Sequence, residues 1–270
     1  MRQIAPLQLG DLVPATAPGT PPEIEIVPPA SLFIDPRYQR DLSERSIRLI
    51  RKIVSEWDWT AFKPPVVARV DERLDVLDGQ HTAIAAVTHG GIPLIPVLVV
   101  AAPEEEKRAG AFVRHNRDRI SVTPTQLHSA LVAAGDEDAM TIAQVCERAG
   151  VTILKNPPPY SRFRPGDTMA ISTIASLVSR RYAVGARRVL DICVRSGAAP
   201  VSAHMIRGVE CLVFAKEYAG EIDDDRISLI IRVKGEELER EAKRFAIERK
   251  VPFWRAYASV LFMNRRKARG

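Results

Sequence analysis

The first regular pattern of apolar and polar positions is the alternation Glu23-Ile24-Glu25-Ile26-Val27, which predicts a half-buried strand. Residues 1–22 precede it with five prolines and little periodicity, and read as an extended leader. Pro28-Pro29 ends the strand. After a loop around Asp35-Pro36, Ser43 is a plausible cap for a helix that carries Ile47, Ile50, Ile53 and Val54 on one face. Pro65 to Val70 and Arg73 to Leu77 predict two strands joined at Asp71-Glu72. A small-residue helix over 82–88 follows and Gly90-Gly91 stops it. Ile95 to Val100 predicts another strand, and Glu104 to His115 a helix, acidic at its start and basic at its end as the helix dipole favours.

The pattern changes near residue 120. From Thr123 onward the apolar spacing is almost wholly helical, over 123–134, 139–149, 167–181, 185–196, 202–219, 223–232, 235–249 and 252–264. Asp167, Ser202 and Pro252 suit helix starts. Pro157-Pro158-Pro159 and Pro165 interrupt the series. The expected division is a leader (1–22), a mixed α/β domain (23–120), a helical domain (121–265) and a basic tail (266–270), an α+β chain overall.

Composition narrows the classes. The 270 residues carry a net charge of +6. Residues 31–120 hold 14 basic against 13 acidic residues, so the excess falls in the helical part, which permits DNA as a partner. Cys146, Cys193 and Cys211 are widely spaced among apolar residues and read as buried thiols of a reducing compartment. The longest apolar run, Ile92 to Ala102, is interrupted by Pro93 and Pro96 and is too short to span a bilayer. With no charged start leading into an apolar run, the expectation is a cytoplasmic protein without a membrane partner.

The stretch with most chemical content is Asp78-Gly79-Gln80-His81-Thr82. A strand that turns through glycine onto a helix start gathers free N–H groups and the positive dipole end at one point, which suits an anion and above all a phosphate. Glycine removes the Cβ that would keep a ligand away. Asp78 is equally suited to capping the helix, and His81 or Asp78 would be the acid–base candidates if a reaction occurs there. A metal held by His81 and His115 would want a third ligand that the sequence does not name, so no metal site is assigned.

Three ordered segments resemble the N-terminal domain of the ParB family, the ParB/sulfiredoxin-like fold. They are Asp35-Pro36-Arg37-Tyr38-Gln39-Arg40, then Asp78 through Ala86, then Val113-Arg114-His115-Asn116-Arg117-Asp118-Arg119 with Thr123-Pro124 after it. The whole chain, about 30–265, is also similar to ParB-like proteins found near phage and plasmid genes. The resemblance implies a nucleotide or phosphate-like anion, with Mg2+ in the partition branch, bound by Arg37, Arg40, Gly79, Gln80, His81, Thr82, Asn116 and Arg119. It also implies DNA as a partner and is compatible with a homo-oligomer. Gln80 stands where sulfiredoxin has its cysteine, so thiol chemistry is excluded on this motif. Thr82 replaces an arginine and His115 a glutamate, which removes a charged fork and an oxygen ligand for magnesium. Binding without hydrolysis is therefore the expectation. A nucleotide-dependent kinase or nuclease, or a degenerate scaffold for protein assembly, are the alternatives.

Thr141 to Val151 looks like the first helix and turn of a helix-turn-helix, but the three prolines that follow cannot lie inside a recognition helix. Either the element has decayed or the proline segment is an insertion, with the next helix taking its place. The expected DNA contacts are Arg162, Arg164, Arg180, Arg181, Arg187 and Arg188. Arg187, Asp191 and Arg195 are spaced four apart and are equally able to pair on a solvated face.

Overall fold

The computed structural model describes all residues except 1, 2, 8, 9, 12, 14–19, 37–41, 103, 118–120, 160, 161 and 267–270; side chains of 116 and 117 are also not described. The chain divides into two units, 1–120 and 121–270.

The first unit holds β1 (Glu23–Val27), β2 (Leu32–Phe33), α1 (Glu44–Ser55), β3 (Val66–Val70), β4 (Arg73–Asp78), α2 (Gln80–His89), β5 (Ile95–Val100) and α3 (Glu105–Arg117). Its strands form one sheet in the order β1-β5-β3-β4-β2. β1 pairs antiparallel with β5, β5 parallel with β3, β3 antiparallel with β4, and β4 parallel with β2. Alternation along the strands divides the core into two layers. Val67, Leu74, Val76, Ile95 and Val97 pack with Ala86 of α2, while Ala68 and Leu77 pack with Ala102, just before α3, and with Ala111 of α3. The sheet is thus covered by α2 on one face and α3 on the other. The small side chains Ala83, Ala85 and Ala86 are buried and let α2 lie close to the strands. Ser43 caps α1 as expected, its Oγ accepting from the Ser46 N–H at 3.2 Å.

The second unit holds α4 (Pro124–Ala133), α5 (Glu137–Arg148), β6 (Thr152–Ile153), β7 (Asp167–Thr168), α6 (Ile171–Arg195), α7 (Ala203–Phe214), α8 (Asp224–Lys234), α9 (Glu236–Arg249) and α10 (Phe253–Met263). One apolar core joins them, with Ile142 and Val145 of α5, Ile174, Leu177 and Leu190 of α6, Ile206 and Val209 of α7, Ile230 of α8, Leu238 of α9, and Tyr257 and Leu261 of α10. Hydroxyls and carboxylates at Thr123, Asp136, Ser202 and Asp223 cap four of these helices.

Besides the end of α7 at Phe214, short of the expected 219 and followed by a 3-10 turn at Lys216–Tyr218, this unit departs from the sequence expectation in two places. Asp167 does not start a helix. Its backbone belongs to β7, parallel to β6, and its carboxylate accepts from the Arg164 N–H at 2.7 Å. The helix begins at Ile171, so the unit is not wholly helical. The other departure is at the predicted break near 182–184, which is a kink rather than a loop. Tyr182 has φ 53° and ψ −179° inside α6, a region that residues with a Cβ rarely adopt.

Candidate functional site

The strand–glycine–helix turn forms where the sequence places it. β4 ends at Asp78, Gly79 takes φ +89°, and α2 begins at Gln80. Glycine is required here twice over. The dihedral is left-handed, and a Cβ would stand 2.9 Å from the Cα of Pro65. The cap position falls on Gly79, one residue after the Asp78 expected to fill it; Asp78 is half-buried and already engaged.

Gln80, His81 and Thr82 follow in the first turn. All three are half-buried, and none of their side chains makes a hydrogen bond to a described residue. The first turn of a helix also leaves backbone N–H groups without intrahelical partners. An amide, an imidazole and a hydroxyl therefore stand beside open N–H donors and a positive dipole end. This donor set fits a phosphate oxygen. Magnesium takes oxygen ligands, commonly one or two carboxylates together with a bound phosphate, and Asp78 is the carboxylate that the turn offers. Among the described residues no group of three His, Cys, Asp or Glu is placed to hold a metal ion. His115 and Asn116 lie in the last turn of α3. Arg37, Arg40 and Arg119, and the side chain of Asn116, lie outside what the structure describes.

In the second unit, α5 ends at Arg148 and the chain turns at Gly150, then passes through β6, the proline segment and β7 before entering α6. The insertion alternative fits this path. Ile142, Val145, Cys146 and Ala149 share a core with Ile171, Ile174 and Leu177, so α5 and the first half of α6 pack as a helix pair. The outer face of that half carries Ser172, Ser176, Ser179 and Arg180, all exposed.

The arginines of α6 are heavily engaged. Glu210 of α7, 7% exposed, accepts from Arg180 at 2.7 Å and from Arg181 at 2.9 Å. Burial alone would raise the Glu210 carboxyl, but these hydrogen bonds outweigh it and hold it below its ordinary range. Arg181 also lies over the Phe214 ring, 4.5 Å from its centroid. A Cβ on Gly185 would meet Phe214 at 3.1 Å, so the chain just past the kink needs a glycine to approach α7. Arg188 forks onto Asp224 at 2.8 and 2.9 Å. Arg195 pairs with Asp225, and Arg187 reaches Asp191 at 3.6 Å. Arg162 and Arg164 are exposed on the segment between β6 and β7.

No protein-family model matches the sequence, and no curated protein matches it. Among solved structures the chain is similar to the C-terminally truncated chromosome-partitioning protein ParB from Caulobacter crescentus complexed with CTP-gamma-S. The sequence identity is 13%, the TM-score is 0.38, and the match covers 62% of this chain and 92% of that one.

Two features of these sites escape sequence reasoning. Ser172, Ser176 and Ser179 lie within the helix expected over 167–181, but that they stand on its outer side follows only from the packing of Ile171, Ile174 and Leu177 against α5. Glu210 is thirty residues from Arg180 in the chain, and no local spacing rule connects them. No described helix is long and apolar enough to cross a membrane.

Proposed function

We propose that this is a ParB-like DNA-associated protein of mobile-element type, whose first unit binds a nucleotide or phosphate-like anion at the start of α2. The observation that carries the reading is the run Gln80-His81-Thr82. These are three half-buried polar side chains without partners among the described residues, directly after a left-handed glycine at a helix N-terminus. A phosphate would satisfy them together with the free N–H groups. Thr82 contributes one neutral hydroxyl, so the turn is built to hold an anion rather than to drive phosphoryl transfer.

The helical unit is the proposed DNA-contacting part. The α5–α6 pair supports this, with Ser172, Ser176 and Ser179 on the outer face of α6 and Arg162 and Arg164 on the inserted segment. Hydroxyls at helical spacing suit base edges and phosphates, and arginines suit the phosphate backbone.

Calorimetric titration with CTP, ATP, ADP and inorganic phosphate, each with and without Mg2+, tests the first part. Binding that His81→Ala and Thr82→Val weaken at least tenfold, with no product formed, is the expected result. Product formation abolished by His81→Ala would replace the binding module with an enzyme. Duplex-DNA titration at rising salt tests the second part: phosphate contacts predict a steep fall in affinity, and no binding at low salt refutes it.

A further inference from the structure

A cavity of about 500 Å³ opens between α4, α5 and β6, inside the second unit. Its size lies within the range that small organic ligands occupy. Val132, Cys146, Val151 and Ile153 give it an apolar wall. Cys146 belongs to that wall chemically as well, since burial pushes its thiol up to about 12 and keeps it neutral.

The wall is fastened in place. The Thr125 hydroxyl donates to the Lys155 carbonyl at 3.0 Å, and the Gln126 side-chain amide donates to Asn156 Oδ1 at 2.8 Å. These bonds tie the chain after β6 to α4 and hold the cavity open between them.

One lining group has no place in that scaffold. His128 of α4 is 8% exposed, faces the cavity, and makes no hydrogen bond to a described residue. Burial pushes its imidazole below the ordinary histidine value, so it is neutral at pH 7. A neutral imidazole carries one donor and one acceptor nitrogen, and neither is sealed from solvent, so both are open to a polar group of a ligand in the cavity. At the mouth, Glu147 and Lys155 are exposed and opposite in charge, so the rim selects no net charge.

We propose that this cavity is a binding site for a small neutral organic molecule that has an apolar ring or chain and one hydroxyl or amide group, the latter paired with His128. An ion is disfavoured because the wall is apolar and its two buried polar groups, the Thr125 hydroxyl and the His128 imidazole, bring no charge to it. The site is separate from the α2 turn and does not depend on the nucleotide reading.

The test uses the full chain and a panel of neutral aromatic alcohols and amides, from phenol and benzamide to naphthol, with toluene as the apolar control. Binding is read from the His128 ring resonances by NMR and from calorimetry. The expected result is that at least one alcohol or amide shifts the His128 signals and binds at least tenfold tighter than toluene. His128→Phe should then erase that preference, His128→Gln should keep it, and Val132→Trp should abolish binding by filling the space. Circular dichroism establishes that each variant is folded, and if Val132→Trp fails to fold, the contrast between the two His128 variants decides. Toluene binding as tightly as the alcohols, an unchanged preference in His128→Phe, or no shift of His128 with any member of the panel would overturn the proposal.

Discussion

The start of α2 and the kink of α6 invite comparison. Both gather polar side chains on a helix next to an unusual backbone, and the sequence marks residues of both as ligand contacts. The fold treats them differently. At α2 the side chains of Gln80, His81 and Thr82 are half-buried with no described partner. At α6 Arg180, Arg181, Arg188 and Arg195 are each held by a carboxylate of α7 or α8. A ligand arriving at α2 satisfies groups that no described residue satisfies. A phosphate arriving at Arg180 or Arg181 would have to displace Glu210 and leave a buried carboxylate behind, which is costly. Residue type announces capacity, and the partners already present decide how much of it is on offer.

Four substitutions would break or sharpen this contrast, taken here from the largest expected effect. Gly79→Ala places a Cβ against Pro65 in a left-handed backbone and should cost roughly 2–4 kcal/mol in urea denaturation. A loss under about 1 kcal/mol would mean that the turn relaxes easily and does not hold its donors in place.

The double variant Arg180→Ala/Arg181→Ala strands Glu210 and should cost roughly 2–3 kcal/mol near neutral pH. Because the Glu210 carboxyl is held low in the folded state, the contribution of this clamp is fully present above the ordinary glutamate value. It is lost as pH falls through the lowered one. Stability curves of the double variant and the parent should therefore converge as pH falls through that lowered value, and a constant gap down to acid would show that charge is not what the arginines supply.

Tyr182→Gly should stabilise by about 1 kcal/mol, the relief of backbone strain less the added freedom of glycine in the unfolded chain. Tyr182 is 80% exposed, so little packing is lost. Thermal unfolding reads the sign, and a drop in Tm would mean that the exposed ring holds the kink. Arg187→Ala should be the mildest, within about 0.5 kcal/mol, because its pairing with Asp191 is exposed and 3.6 Å long. If it nonetheless lowers DNA affinity, this arginine belongs with the open groups rather than the clamped ones.

What the sequence reveals follows how local each cause is. The strand at 23–27, the cap at Ser43 and the glycine turn at 79 depend on neighbours a few residues away, and all three form where expected. The two-residue strands β6 and β7 have no pattern of their own and exist because Thr152 meets Asp167 across an intervening loop. Asp167 looks like a helix cap because it precedes a helical pattern; the backbone instead runs on through Thr168, whose hydroxyl accepts from the Ala170 N–H. The ion pairs of α6 need partners about thirty residues away. The arginines were visible in the sequence and their occupants were not. For the α2 site, the local half is legible and described, whereas Arg37, Arg40 and Arg119 lie outside the described residues.

The narrow neck made by β6 and β7 has a consequence for engineering. The Thr152 N–H donates to the Gly166 carbonyl at 3.0 Å and the Leu154 N–H to the Thr168 carbonyl at 2.9 Å, while the Thr168 hydroxyl is anchored on the Val201 carbonyl. The chain thus leaves and rejoins the helical unit at a closed base, and doubling the length of a loop beyond such a base adds only about 0.6 kcal/mol of closure entropy. Pro157, exposed beyond that base, is therefore a natural graft point, where a tag or a foreign recognition peptide can be inserted while α5 and α6 keep their register.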